Sequence, residues 1–133
     1  MASFFSKLFG DGADTPAKAN ASSSLVWCEL HTSEALAALT AASFERPQLI
    51  FKHSTSCGIS SMVLRKFGLQ HADNNNQVSF HLLDLLRNRS LSNEIANLFE
   101  ISHQSPQLLL VKDGKVVLHA SHYDILQAQI SAR

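Results

Sequence analysis

Apolar and polar positions along the chain fall into blocks of different period, and the changes of period divide it into elements. Leu25–Leu30 is a short strand run. From Thr32 or Ser33 to about Phe44, the positions Leu36, Leu39 and Phe44 face one side of a predicted helix, with Thr32 or Ser33 as cap and Glu34 in its first turn. Pro47 ends the connection, and Gln48–His53 reads as a second strand around the buried run Leu49-Ile50-Phe51. Ile59, Met62, Val63, Lys66 and Phe67 return to three-and-four spacing, predicting a second helix from about Cys57 to Gly68, a natural stop. Asp73-Asn74-Asn75-Asn76 is a polar loop, Val78–Leu83 a third strand, and Ser90 caps a third helix over Leu91–Phe99. Asp113-Gly114 between Gln107–Lys112 and Lys115–His119 signals a type I′ hairpin. A fourth helix is expected from Ser121, with Asp124 in the capping-box position. The order is β-α-β-α-β-α-β-β-α, an α/β fold. Right-handed crossovers make the first strands parallel, the terminal hairpin makes the sheet mixed, and helices cover both faces.

Upstream of Leu25 the pattern is different. Met1–Gly10 sets Phe4, Phe5, Leu8 and Phe9 on one side of a possible helix too short to be stable alone in water. Such a stretch docks on its own domain, frays, or docks on a partner. Asp11–Ser24 is rich in Ala, Ser, Gly, Asp and Asn and reads as a linker. The expected division is therefore a tail and linker over 1–24 and one folded domain over 25–133. A length of 133 residues suits a single core, and 45% hydrophobic with 17% charged residues is a globular composition. Eleven basic and eleven acidic residues, with no basic stripe, argue against a nucleic-acid partner. No apolar run approaches the ~20 residues of a membrane span. Nothing resembles a secretory signal, and two cysteines make no disulfide scaffold, so the expected compartment is the cytoplasm.

The candidate chemistry lies at the joint of the second strand and second helix. Cys57 stands at a first helical turn, where unpaired N–H groups and the helix dipole favour a thiolate. A single intracellular cysteine is often only a small buried hydrophobe, but Thr55, Ser56, Gly58 and Ser60 are poor core neighbours. Cys28, inside Leu25-Val26-Trp27-Cys28-Glu29-Leu30, reads as the inert kind. Three positions after Cys57 comes Ser60 and not a second cysteine, so a dithiol mechanism lacks its local resolving thiol. Cys28 is on another strand and is a poor substitute. The residues point to a monothiol mechanism, in which Cys57 takes a small thiol from a mixed disulfide and an outside thiol releases it. Ser60 or the helix-end N–H groups would stabilise the thiolate, with Thr55 a neighbour. His53 and Lys52 either add positive charge or are solvated strand-end side chains. Ser105-Pro106 enters the hairpin at a position that needs no ladder N–H. An isolated X–Pro bond is usually trans. The combination of this proline with the strand–cysteine–helix joint resembles the thioredoxin fold, where the proline is cis and packs over the cysteine sulfur. That resemblance implies that the Ser105 backbone pairs with an extended thiol substrate.

Phe51-Lys52-His53-Ser54-Thr55-Ser56-Cys57-Gly58-Ile59-Ser60-Ser61, His103-Gln104-Ser105-Pro106-Gln107 and Ser121-His122-Tyr123-Asp124-Ile125 resemble the YtxJ-type monothiol bacilliredoxins, from about Leu25 to the C-terminus. The resemblance implies that bacillithiol, a cysteinyl-glucosaminyl-malate thiol, is the co-substrate. Cys57 would remove it from bacillithiolated client proteins, with no bound cofactor or metal. In glutaredoxin-like relatives the start of the last helix binds a carboxylate of the small thiol. Ser121 and His122 occupy that place, and a helix N-terminus suits a malate carboxylate. Ser121 as a mere cap, and His122 as no contact at all, are the alternatives. One departure is Gly58, where the family usually has proline; glycine loosens the helix start. Two other functions fit a monothiol of this fold: an iron–sulfur cluster carrier using Cys57 with a small thiol, and an interaction module whose cysteine is incidental.

Overall fold

The computed structural model describes residues 25–74 and 77–130. The expected tail and linker, and Asn75 and Asn76 of the polar loop, lie outside them. Five strands, β1 (Trp27–Glu29), β2 (Gln48–His53), β3 (Ser79–Asp84), β4 (Gln107–Lys112) and β5 (Lys115–Ser121), form one sheet in the order β1-β3-β2-β4-β5. β1 and β2 both run parallel to β3, while β4 is antiparallel to β2 and to β5. Among the described residues, three α-helices accompany them: α1 (Ser33–Ala42), α2 (Gly58–Gln70) and α3 (Arg89–Phe99).

Strand alternation explains the two cores. Leu49 and Phe51 of β2, Phe80 of β3, and Leu108 and Leu110 of β4 turn to one face, where they meet Val63 and Phe67 of α2. Ile50, Leu83, Leu109 and Val111 turn to the other and meet Leu36 and Leu39 of α1 and Leu91 and Ile95 of α3. β2 lies between β3 and β4 and is buried at all six positions.

Several local expectations change. Phe44 is 63% exposed, because α1 ends at Ala42 and the following turn carries the ring off the buried stripe. Its ring instead lies against the hairpin turn, where Gly114 has φ 77° and a Cβ would stand 3.0 Å from Phe44 Cζ. Asp113, at φ 54°, completes the positive-φ pair that a type I′ turn requires. Gly68 does not stop α2, which continues to Gln70, and Ile59 is exposed because the buried stripe is Ser60, Val63 and Phe67. Ser90 is inside α3, whose N-cap residue is Asn88. Thr32 does cap α1, its Oγ1 accepting from the Ala35 N–H at 3.0 Å. The expected fourth helix is a 3₁₀ segment, His122–Gln127, and Ser121 precedes it without a side-chain capping bond.

Candidate functional site

β2 delivers the chain to the site and α2 carries it away. Between them, Ser54–Cys57 forms a turn in which the Cys57 N–H donates to the Ser54 carbonyl at 3.1 Å. Cys57 is the N-cap residue of α2, in extended conformation and with no side-chain capping bond. Its carbonyl accepts the first helical bond, from the Ser61 N–H at 3.1 Å. The thiol, partly exposed, therefore sits over a first turn whose N–H groups have no intrahelical acceptors.

Beneath it, Ser60 is fully buried, at the head of the α2 stripe. Its Oγ accepts from the Ser54 N–H at 3.1 Å and lies 2.7 Å from His53 Nδ1. One buried hydroxyl thus ties the strand end, the turn and the helix together. His53 is 7% exposed, and burial pushes its pKa below the usual histidine value, against an opposing pull from Asp84. Neither His53 nor Lys52 is a solvated strand-end side chain. His53 is held toward its neutral form. Lys52 points to the opposite face, where it is 0% exposed and its Nζ donates to the Ser92 carbonyl at 3.2 Å, with His103 Nδ1 at 3.5 Å. Burial lowers the Lys52 pKa from 10.5 to about 8.

The second half of the site comes from β4. Ser105–Pro106 is a cis peptide bond, as expected. The pairing of β2 with β4 ends at Lys52 and Gln107, so Pro106 immediately precedes the last paired residue of β4 and His53 immediately follows that of β2. Gln107, absent from the sequence-based site, fixes this loop: its Nε2 donates to the Ser102 carbonyl at 2.9 Å and its Oε1 accepts from the Gln104 N–H at 3.4 Å. A buried glutamine beside a polar loop was the available signal. Ser105 Oγ is buried and has no hydrogen-bond partner among the described residues. Ser121 pairs with Gln107, and the His122 N–H donates to the Pro106 carbonyl at 3.0 Å. Ser105, Pro106, Ser121 and His122 are therefore brought together where β4 begins and β5 ends. The helix terminus expected to hold a carboxylate there is only the six-residue 3₁₀ segment.

Cys28 is exposed and not in the core, because β1 is a three-residue edge strand whose alternation turns Trp27, not Cys28, inward. Among the described residues no three His, Cys, Asp or Glu side chains gather as metal ligands, and no helix is long and apolar enough to cross a membrane.

Comparison with known proteins agrees with this geometry. Residues 28–130 match the family described as Monothiol bacilliredoxin BrxC. A solved structure described as having a thioredoxin fold superposes with TM-score 0.68 at 23% identity, covering 77% of this chain and 88% of that one. Thioredoxin from Malassezia sympodialis gives 0.63 at 16% identity, over 78% and 84% of the two chains. Thioredoxin f from spinach chloroplast gives 0.60 at 19% identity, over 79% and 90%. These structures share the fold.

Proposed function

The chain belongs to the monothiol bacilliredoxin family, and from that membership we propose that it is a thiol–disulfide oxidoreductase that removes bacillithiol from client proteins through Cys57. The observation that carries the reading is a partly exposed Cys57 at the start of α2 with the buried hydroxyl of Ser60, and no second thiol, one turn on.

The Cys57 thiolate attacks the bacillithiol sulfur of a mixed disulfide. A Cys57–bacillithiol disulfide forms, the bond to the client sulfur breaks, and the client leaves as a thiolate that takes a proton from water. A second, outside thiol then attacks the adduct, forming its own disulfide with bacillithiol and returning Cys57 to the thiolate. Helix N–H groups stabilise the attacking sulfur, and Ser60, anchored by His53 and Ser54, holds the turn that presents it. The Ser105 backbone pairs with the client strand. Bacillithiol acts as co-substrate, and the cytoplasm is the compartment of the reaction.

The test supplies the protein with a bacillithiol mixed disulfide on a model protein, and separately with its glutathione counterpart. Bacillithiol should transfer much faster. Equal rates would contradict the assignment of the thiol, and no transfer of either would contradict the oxidoreductase.

A further inference from the structure

A mixed disulfide has two arms that diverge from its sulfurs, and each needs a place. In the reading above, the client arm lies along Ser105 on the β4–β5 side of Cys57. The other side holds a cavity of about 160 Å³ at the carboxyl ends of β1, β3 and β2. Open sheets of this class bind ligands beyond the carboxyl ends of their strands. Glu29, Leu82, Asp84 and His53 line the cavity from the three strands, and His31, Thr55 and Arg87 from the segments that follow them, with Glu29 already paired to His31 at 2.9 Å. Thr55 is two residues from Cys57, so their Cα atoms are at most about 7 Å apart.

The lining has unused bonding capacity. His53 is more than nine-tenths buried, and while Nδ1 is engaged by Ser60, Nε2 has no partner among the described residues. Asp84 spends one oxygen on the Leu86 N–H at 3.1 Å. The exposed Arg87 guanidinium has no partner among the described residues. A cavity of roughly 150 Å³ can hold benzene, so this partly open one is on the scale of a single ring, and Leu82 offers that ring an apolar surface.

We infer that this cavity is the subsite for the sugar-ring portion of the small thiol carried by Cys57, an inference that rests on the bacillithiol reading. Asp84 and His53 Nε2 bind ring hydroxyls, and Arg87 binds one of the two malate carboxylates beyond the ring. The two arms of the substrate then leave Cys57 in opposite directions, and the client can depart without displacing the small thiol.

The experiment measures adduct formation on Cys57 in the full chain, for wild type, Arg87→Gln, Asp84→Asn and His122→Ala. Two donors are compared: the bacillithiol mixed disulfide, and the disulfide of mercaptoethanol, which lacks the sugar and the carboxylates. Arg87→Gln should slow bacillithiol transfer about tenfold or more, the scale of a lost charged hydrogen bond, and leave the mercaptoethanol reaction unchanged, while Asp84→Asn should slow the bacillithiol reaction more than the mercaptoethanol one. Unchanged bacillithiol rates, or equal slowing with both donors, would overturn the subsite alone. A loss in His122→Ala without one in Arg87→Gln would also overturn it, by moving the ring to the other side. If wild type reacts with the mercaptoethanol disulfide but not with the bacillithiol one, the bacillithiol reading fails and the subsite with it.

Discussion

At the scale of residues, what stands one helical turn after Cys57 decides how its adduct is resolved. Ser60 occupies the place where a resolving thiol would attack, and its hydroxyl is spent on Ser54 and His53. A buried hydroxyl cannot displace a disulfide, so the adduct on Cys57 waits for an outside thiol. Ser60→Cys restores a sulfur of similar volume at that place. It should abolish the accumulating adduct and yield an internal disulfide with Cys57, as mass spectrometry under non-reducing conditions would show. An adduct that persists in Ser60→Cys would mean that the geometry, and not the missing thiol, makes the protein monothiol. Cys28 is the control residue. Being exposed, it will be alkylated, so reactivity comparisons must rest on the helix terminus that Cys57 has and Cys28 lacks.

At the scale of elements, the start of α2 is the part most open to change. A Cβ at Gly58 would meet nothing within 4 Å, and position 58 is the first helical residue, where proline is favoured. Gly58→Pro should therefore raise stability by about 0.4–1 kcal/mol, by restricting the unfolded chain, as thermal melts would read; a loss of stability would show that the turn needs glycine. The same element shows what the sequence could and could not reveal. β2 and the Asp113-Gly114 hairpin were legible because an apolar run and a turn dipeptide carry their signals locally. The end of α2 was not. Gly68 is an adequate helix stop, but the packing of Phe67 and the bond from the His71 N–H to the Phe67 carbonyl at 3.1 Å carry the helix past it. The last helix misled for the opposite reason: Ser121 and Asp124 mimic a capping box, yet Ser121 is held by pairing with Gln107 and His122 turns to φ 56°. Cys57 and Pro106 could be found from the chain because each marks an element boundary. The Ser60–His53 bond, the Gln107 clamp and the cavity beside Asp84 could not, since they depend on which strands are neighbours.

At the scale of the whole molecule, the buried Lys52 is an ionisable group without a carboxylate partner among the described residues, and it sets a pH dependence of stability. Its folded pKa is near 8, below the usual 10.5. Between these values the unfolded chain binds the proton and the folded chain does not, so stability rises as pH climbs through that window. Below pH 8 the buried charge costs stability in full. Lys52→Met should therefore stabilise the protein at neutral pH, by on the order of 1–3 kcal/mol, with the advantage fading toward pH 10.5; urea titrations across that range would check it. A stability gain independent of pH would assign the effect to packing. The central claim is that one sulfur, Cys57, carries the small thiol between client and solvent. Its most direct test is peptide mapping by mass after reaction with the bacillithiol mixed disulfide. Wild type and Cys28→Ser should carry one bacillithiol on the peptide containing Cys57 and release reduced client, while Cys57→Ser does neither. Client reduction that survives in Cys57→Ser, or an adduct mapped to Cys28, would contradict it.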